Sequence, residues 1–116
     1  MLAVDRSGSV VVLRPLVAGD LTAAESTAFR AEAESALADA SLAVLDLAPI
    51  DFIDSSGLAA LVSLHRSLLG RGGELRLAAA GRDVMAVIEL ARLHRLFEIY
   101  DTVLEATEGF DADGER

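Results

Sequence analysis

Apolar positions change their spacing several times along this 116-residue chain, and each change marks an element. Val10-Val11-Val12-Leu13 is a β-branched apolar run between Gly8 and Pro15 and predicts a strand, with Leu2–Val4 placed to pair with it as a hairpin. From Leu21 the spacing becomes helical: Phe29, Ala33, Leu37 and Ala40 recur every three or four residues. Thr22-Ala23-Ala24-Glu25 opens that helix as a capping box, its hydroxyl and carboxylate answering N–H groups that lack a helical partner. Leu42 to Leu47 shows almost no alternation, the mark of a strand covered on both faces. A second helix is predicted from about Ser56 to Gly70, closed by the Gly70-Arg71-Gly72-Gly73 turn.

Glu74-Leu75-Arg76-Leu77 alternates, which predicts a strand with one face less well buried. Val84, Val87, Ile88 and Ala91 form a third helical stripe. A short apolar piece, Phe97 to Tyr100, leads into Thr102-Val103-Leu104-Glu105, a second capping box opening a short helix. Beyond it the chain is acidic and interrupted by Gly, so residues 107–116 are expected to be a disordered tail behind a single domain of residues 1–106. Alternating strands and helices call for an α/β layer fold. The expectation is a mixed, mostly parallel sheet of four to five strands packed with about four helices.

Composition narrows the chemistry. Cysteine is absent, which excludes disulfides, thiolate metal sites and cysteine nucleophiles, and nothing in the sequence calls for a metal or cofactor. The net charge of −9 disfavours nucleic acid, whose binding rests on Lys and Arg neutralising phosphates. No apolar run approaches the roughly 20 residues that span a bilayer, and Met1–Arg6 lacks the pattern of a signal peptide, so a cytoplasmic location without membrane insertion is expected.

One segment concentrates chemistry. Asp54-Ser55-Ser56-Gly57 stands where a strand hands over to a helix, at a carboxyl end of the sheet. Two hydroxyls meet unpaired N–H groups there, at the positive end of a helix that favours anions. Plain capping explains one serine, since Ser is a preferred N-cap. The segment has four such residues together. An esterase-like nucleophile is disfavoured, because Ile53 stands where a nucleophile elbow needs Gly. His65 lies ten residues on, roughly 15 Å along the same helix. His94 sits between Arg92 and Arg95 on what reads as a solvated face, and both histidines are expected at surface or boundary positions. A phosphate-binding loop is excluded, since the motif is missing and all ten basic residues are Arg.

Val44-Leu45-Asp46-Leu47 followed by Phe52-Ile53-Asp54-Ser55-Ser56-Gly57-Leu58 resembles the signature of the STAS domain, above all that of the bacterial anti-sigma factor antagonists. Gly72-Gly73-Glu74-Leu75 and Leu93–Thr102 agree with it, over roughly residues 8–106. The resemblance implies a non-enzymatic STAS-like domain whose Ser55 is phosphorylated by an anti-sigma factor that is also a serine kinase. A PP2C-type phosphatase reverses the modification. It further implies that Asp20, Asp54, Ser56 and Gly57 support the switch, with Ser56 as the helix cap. Two departures stand out. Val17-Ala18-Gly19-Asp20 keeps only the Asp of the family's Gly-x-Leu-Asp, and Ala91-Arg92-Leu93 replaces small-Gly-Leu before the last strand. A second reading is a STAS subunit of a lipid-transport ABC complex.

Overall fold

The computed structural model describes residues 2–16 and 19–114, with side chains described as far as Phe110. Strands β1 (Leu2–Ser7) and β2 (Val10–Pro15) form the expected antiparallel hairpin, pairing Leu2 with Pro15 and Ser7 with Val10. The short β3 (Gly19–Leu21) precedes helix α1 (Ala23–Ala36), whose first turn is held as predicted. The Glu25 carboxylate accepts the Thr22 N–H at 3.1 Å and the Thr22 hydroxyl at 2.6 Å. These bonds hold the Glu25 pKa below its ordinary value. Next come β4 (Leu42–Asp46), β5 (Ile50–Ile53), α2 (Ser55–Leu69) and β6 (Glu74–Ala78). Helix α3 (Arg82–Leu90), a 3₁₀ turn at Leu93–Arg95, β7 (Ile99–Tyr100) and α4 (Val103–Gly114) complete the fold.

The main sheet runs β1-β2-β4-β6-β7, parallel throughout except for β1. The period of two divides its side chains cleanly between two covers. Val11, Leu13, Ala43, Leu45, Leu75 and Leu77 join the core that includes Phe29, Leu61, Leu64 and Ile88 from α1, α2 and α3. Val10, Val44 and Ala78 point the other way, beneath Ala106 and Phe110 of α4. Burial on both faces explains why Leu42–Leu47 shows no alternation.

Three expectations need correction. The tail is helical: α4 continues to Gly114, with Thr107 and Phe110 buried. Its anchor is Arg76, which is only 3% exposed, so β6 has no less-buried face. The guanidinium lies 3.8 Å from the Phe110 ring centroid and 5.4 Å from that of Tyr100, with Glu74 Oε2 3.3 Å from Nε. A Cβ on Gly109 would come within 2.5 Å of Arg76 Nη1, so the glycine that looks like a helix breaker lets α4 approach the arginine closely.

The third correction concerns His65, which is buried at 4% exposure, whereas His94 is exposed as expected. His65 Nδ1 accepts the Leu75 N–H at 3.1 Å, and the ring packs 4.9 Å from that of Phe97. Burial lowers its pKa from the ordinary 6.5, against a weaker opposing pull from Glu74. The unfolded chain therefore takes up this proton at a higher pH than the folded chain. The His65 contribution to stability is complete above about pH 6.5 and is lost as pH falls below it. Melting temperature should drop more between about pH 7.5 and 5.5 in the wild type than in His65→Gln. Equal drops would contradict a buried, neutral His65.

Candidate functional site

The segment at the start of α2 is carried by a small sheet that the hydrophobic pattern does not reveal. β3 and β5 pair in parallel, away from the main sheet, with Asp20 opposite Phe52 and Leu21 opposite Ile53. Asp54 extends this register, donating its N–H to the Leu21 carbonyl at 3.3 Å. The motif thus follows a strand outside the main sheet, and the step from Asp46 through Ile50 re-aims the chain. The residues of β5, Ile50-Asp51-Phe52-Ile53, do not alternate: Ile50 and Ile53 are buried and Phe52 is 45% exposed, so no period of two marks the strand.

Asp54, and not Ser56, caps the helix. Its backbone is extended (φ −109°, ψ −171°) and its Oδ1 accepts the Gly57 N–H at 3.0 Å. The first intrahelical bond runs from the Leu58 N–H to the Asp54 carbonyl at 2.9 Å, so Ser55 and Ser56 already lie in the first turn. Four capping residues in a row leave the choice to backbone geometry, and the one with extended dihedrals takes the role. Asp54→Ala should cost about 1 kcal/mol of stability and Ser56→Ala clearly less, as read by chemical denaturation. The reverse order would return the cap to Ser56.

Gly57 is required by contact. A Cβ there would overlap the Leu21 carbonyl oxygen and come within 2.6 Å of Ile53 Cγ1. Its absence lets the first turn of α2 press against β3 and β5, which fixes where Ser55 and Ser56 point. Ser55 is exposed, and its hydroxyl makes no hydrogen bond among the described residues. Ser56 is half-buried and lines a groove of about 430 Å³ between α1 and α2, together with Ser26, Thr27, Arg30, Glu34 and Ala59. The groove and Arg30 gave no signal in the sequence, because they arise only when α1 and α2 pack side by side.

Asp20 is exposed on β3, one residue before Leu21, which contacts the motif; its carboxylate makes no hydrogen bond or ion pair among the described residues. The structure therefore brings Asp20, Asp54, Ser55, Ser56 and Gly57 to one corner without a side-chain bond from Asp20 to either serine. Asp54 is also close enough to Glu25 to oppose its ionisation weakly, so the first turns of α1 and α2 share a field. Neither histidine belongs to this corner, since His65 faces Leu75 and Phe97. Among the described residues no group of three or more His, Asp or Glu is placed to hold a metal ion, and no helix is long and apolar enough to cross a membrane.

Comparison with known proteins agrees with this architecture. The family model of the STAS domain matches residues 1–106. A Thermotoga maritima protein named "Putative anti-sigma factor antagonist" is 36% identical over 59 residues, 51% of this chain and 52% of the relative. The chain spans about half the length of the curated relatives it matches. The crystal structure of a T. maritima protein of the same description superposes with a TM-score of 0.86 at 26% identity, covering 93% of this chain and 92% of the other. SpoIIAA in its unphosphorylated form gives 0.78 at 20% identity over 97% of each chain. Bacillus SpoIIAA in its phosphorylated form gives 0.69 at 20% identity, over 93% of this chain and 97% of the other. The two SpoIIAA likenesses are of fold. Matched over residues 1–106 and sharing the fold over nine-tenths of its length, the chain belongs to the STAS domain family.

Proposed function

We propose that this chain is an anti-sigma factor antagonist switched by phosphorylation of Ser55. In this reading the unmodified protein binds an anti-sigma factor that is also a serine kinase, and sigma factor is released. Phosphate on Ser55 breaks the partnership, and a PP2C-type phosphatase restores it in the cytoplasm. The observation that carries the reading is the exposed, unbonded Ser55 hydroxyl in the first turn of α2, beside a cap already occupied by Gly57. A kinase reaches this hydroxyl without disturbing the cap. Relatives named as anti-sigma factor antagonists support the partner class.

The charge arithmetic suits a switch that leaves the fold intact. A phosphoserine carries about −1.5 to −2 charge near pH 7. At Ser55 it gains from the helix N-terminus and loses to the neighbouring Asp54, two local effects of opposite sign. The test is incubation with the anti-sigma kinase and ATP, followed by mass spectrometry. Phosphate is expected on the peptide containing Ser55 and none on Ser55→Ala. Phosphate at another residue, or none with a kinase active on other substrates, would overturn the reading.

A further inference from the structure

Strand β1 is an edge of the main sheet, and among the described residues no strand pairs with its outer side. Which backbone groups it leaves there follows from the turn. Only Gly8 and Ser9 join β1 to β2, with Gly8 at φ 61°, so Ser7 and Val10 close the hairpin as a hydrogen-bonded pair. The alternation of an antiparallel ladder then turns Ala3, Asp5 and Ser7 towards β2, and the N–H and C=O groups of Leu2, Val4 and Arg6 outwards. The Leu2 N–H agrees: it donates to Glu32 Oε2 at 2.9 Å and not to β2. Val4, at the middle of this edge, is 44% exposed.

The side chains divide by face. Val4 and Arg6 stand on the α1 side with their partners Leu13 and Val11, and Glu32 and Asp39 flank them there, Arg6 lying 3.6 Å from Asp39. Asp5 stands on the α4 side, as does Arg14, the partner of Ala3. Glu25 lies beyond Leu2. Pairing this edge about a two-fold axis with that of a second copy sets a residue only opposite one of its own face. Charge then chooses the register. An axis at Asp5 opposes two carboxylates and one at Arg6 two guanidinium groups, both destabilising, while one at Ala3 engages only Leu2 and Val4. An axis at Val4 sets Val4 against Val4, Leu2 against Arg6 and Ala3 against Asp5. The outward groups of Leu2, Val4 and Arg6 then meet as hydrogen-bonded pairs with Cα atoms about 5.5 Å apart. Arg6 of the second copy comes beside Glu32, and Asp5 of the second copy comes across Ala3 from Arg14. Symmetry repeats both unlike pairs. Between Glu32 and Asp39 the chain carries Ser35 and Ala36, small residues that leave room at the axis.

We infer that β1 is a self-complementary edge through which two copies of this chain pair antiparallel about Val4, joining their two sheets into one. Charges on an edge strand ordinarily blunt it against pairing. Here Asp5 and Arg6 each meet an opposite charge, and Arg6 stands between two acids, Asp39 of its own copy and Glu32 of the other. The net charge of −9 opposes the approach of two copies, so the dimer is weak and forms at high concentration. The inference does not rest on the proposed role of Ser55.

The test is sedimentation equilibrium of the full chain from micromolar to millimolar concentration at physiological salt. The mean mass should rise from that of the 12.2 kDa chain towards twice that value. Val4→Pro removes an outward N–H, a change that an edge strand tolerates, and should abolish the rise. Asp5→Arg and Arg14→Asp, both at exposed positions, should each weaken association by about tenfold, and the two together should restore it. That recovery keeps the test independent of how well Val4→Pro folds. The chain has no cysteine, so single cysteine variants report the register. With diamide, Val4→Cys should cross-link to a dimer much faster than Asp5→Cys, whose two copies lie beyond the roughly 7 Å that a disulfide spans between Cα atoms. A monomer at every concentration, association that Val4→Pro leaves intact, no recovery in the double variant, or equal cross-linking of the two cysteine variants would overturn the inference.

Discussion

Replacing Phe110 by Ala is expected to cost about 3–5 kcal/mol, the usual range for deleting a buried aromatic ring. That is a large share of the roughly 5–15 kcal/mol that holds a domain folded. The ring is 3% exposed and covers Val10, Val44 and Ala78 on the face of the sheet opposite to α1, α2 and α3. It also stacks on the Arg76 guanidinium at 3.8 Å. Its loss both opens a cavity and uncovers a buried cation. A melting temperature lower by on the order of 10–20 °C should follow, with faster amide exchange at Val44 and Ala78. A change below about 1 kcal/mol would mean that α4 is not part of the core. Partner affinity per folded molecule should stay the same, because α4 and the serine corner lie on different faces.

Placing a charge on Ser55 is expected to act in the opposite way, on binding and hardly at all on stability. Ser55→Asp adds one carboxylate to a helix first turn that favours anions by about 0.3–1 kcal/mol, against repulsion from the adjacent Asp54 that for charges about 4 Å apart in water is roughly 1 kcal/mol. Melting should therefore move by no more than about 2 °C. A partner packed over the same hydroxyl must desolvate the new charge or oppose it with its own, which costs several kcal/mol. Roughly 3 kcal/mol corresponds to more than a hundredfold in Kd. Full phosphorylation should exceed that loss, and the aspartate, with half the charge, should approach it. Unfolding of Ser55→Asp would instead assign Ser55 a structural role.

Much of this could be read from spacing. The apolar run Val10–Leu13, the featureless Leu42–Leu47 and the stripe Phe29, Ala33, Leu37, Ala40 lie in the core as their periods require, with Val12, Leu42 and Asp46 half-buried. The first capping box is complete, and at the second the Glu105 N–H donates to Thr102 Oγ1 at 3.1 Å. What escaped was decided between distant residues. The acidic, Gly-containing stretch after Thr107 gives no local reason to fold; its reason is Arg76, on the strand beneath it. His65 has no sequence neighbour that marks it as buried, because Leu75 and Phe97 reach it only through the fold. At the serine corner the residues were legible but their roles were not. Asp54 and Ser56 are both good caps by type, and only dihedral angles assign the cap to Asp54. The β3–β5 pairing that brings Asp20 to the corner joins segments about thirty residues apart, one of them only three residues long.

The most direct test is calorimetric titration of the anti-sigma kinase partner, without ATP, into two preparations of this chain: one unmodified, the other carrying phosphate at Ser55. The unmodified form is expected to bind and the phosphorylated form to bind more than about a hundredfold more weakly, with melting temperatures within about 2 °C of each other. Equal affinity of the two forms would contradict the switch at Ser55.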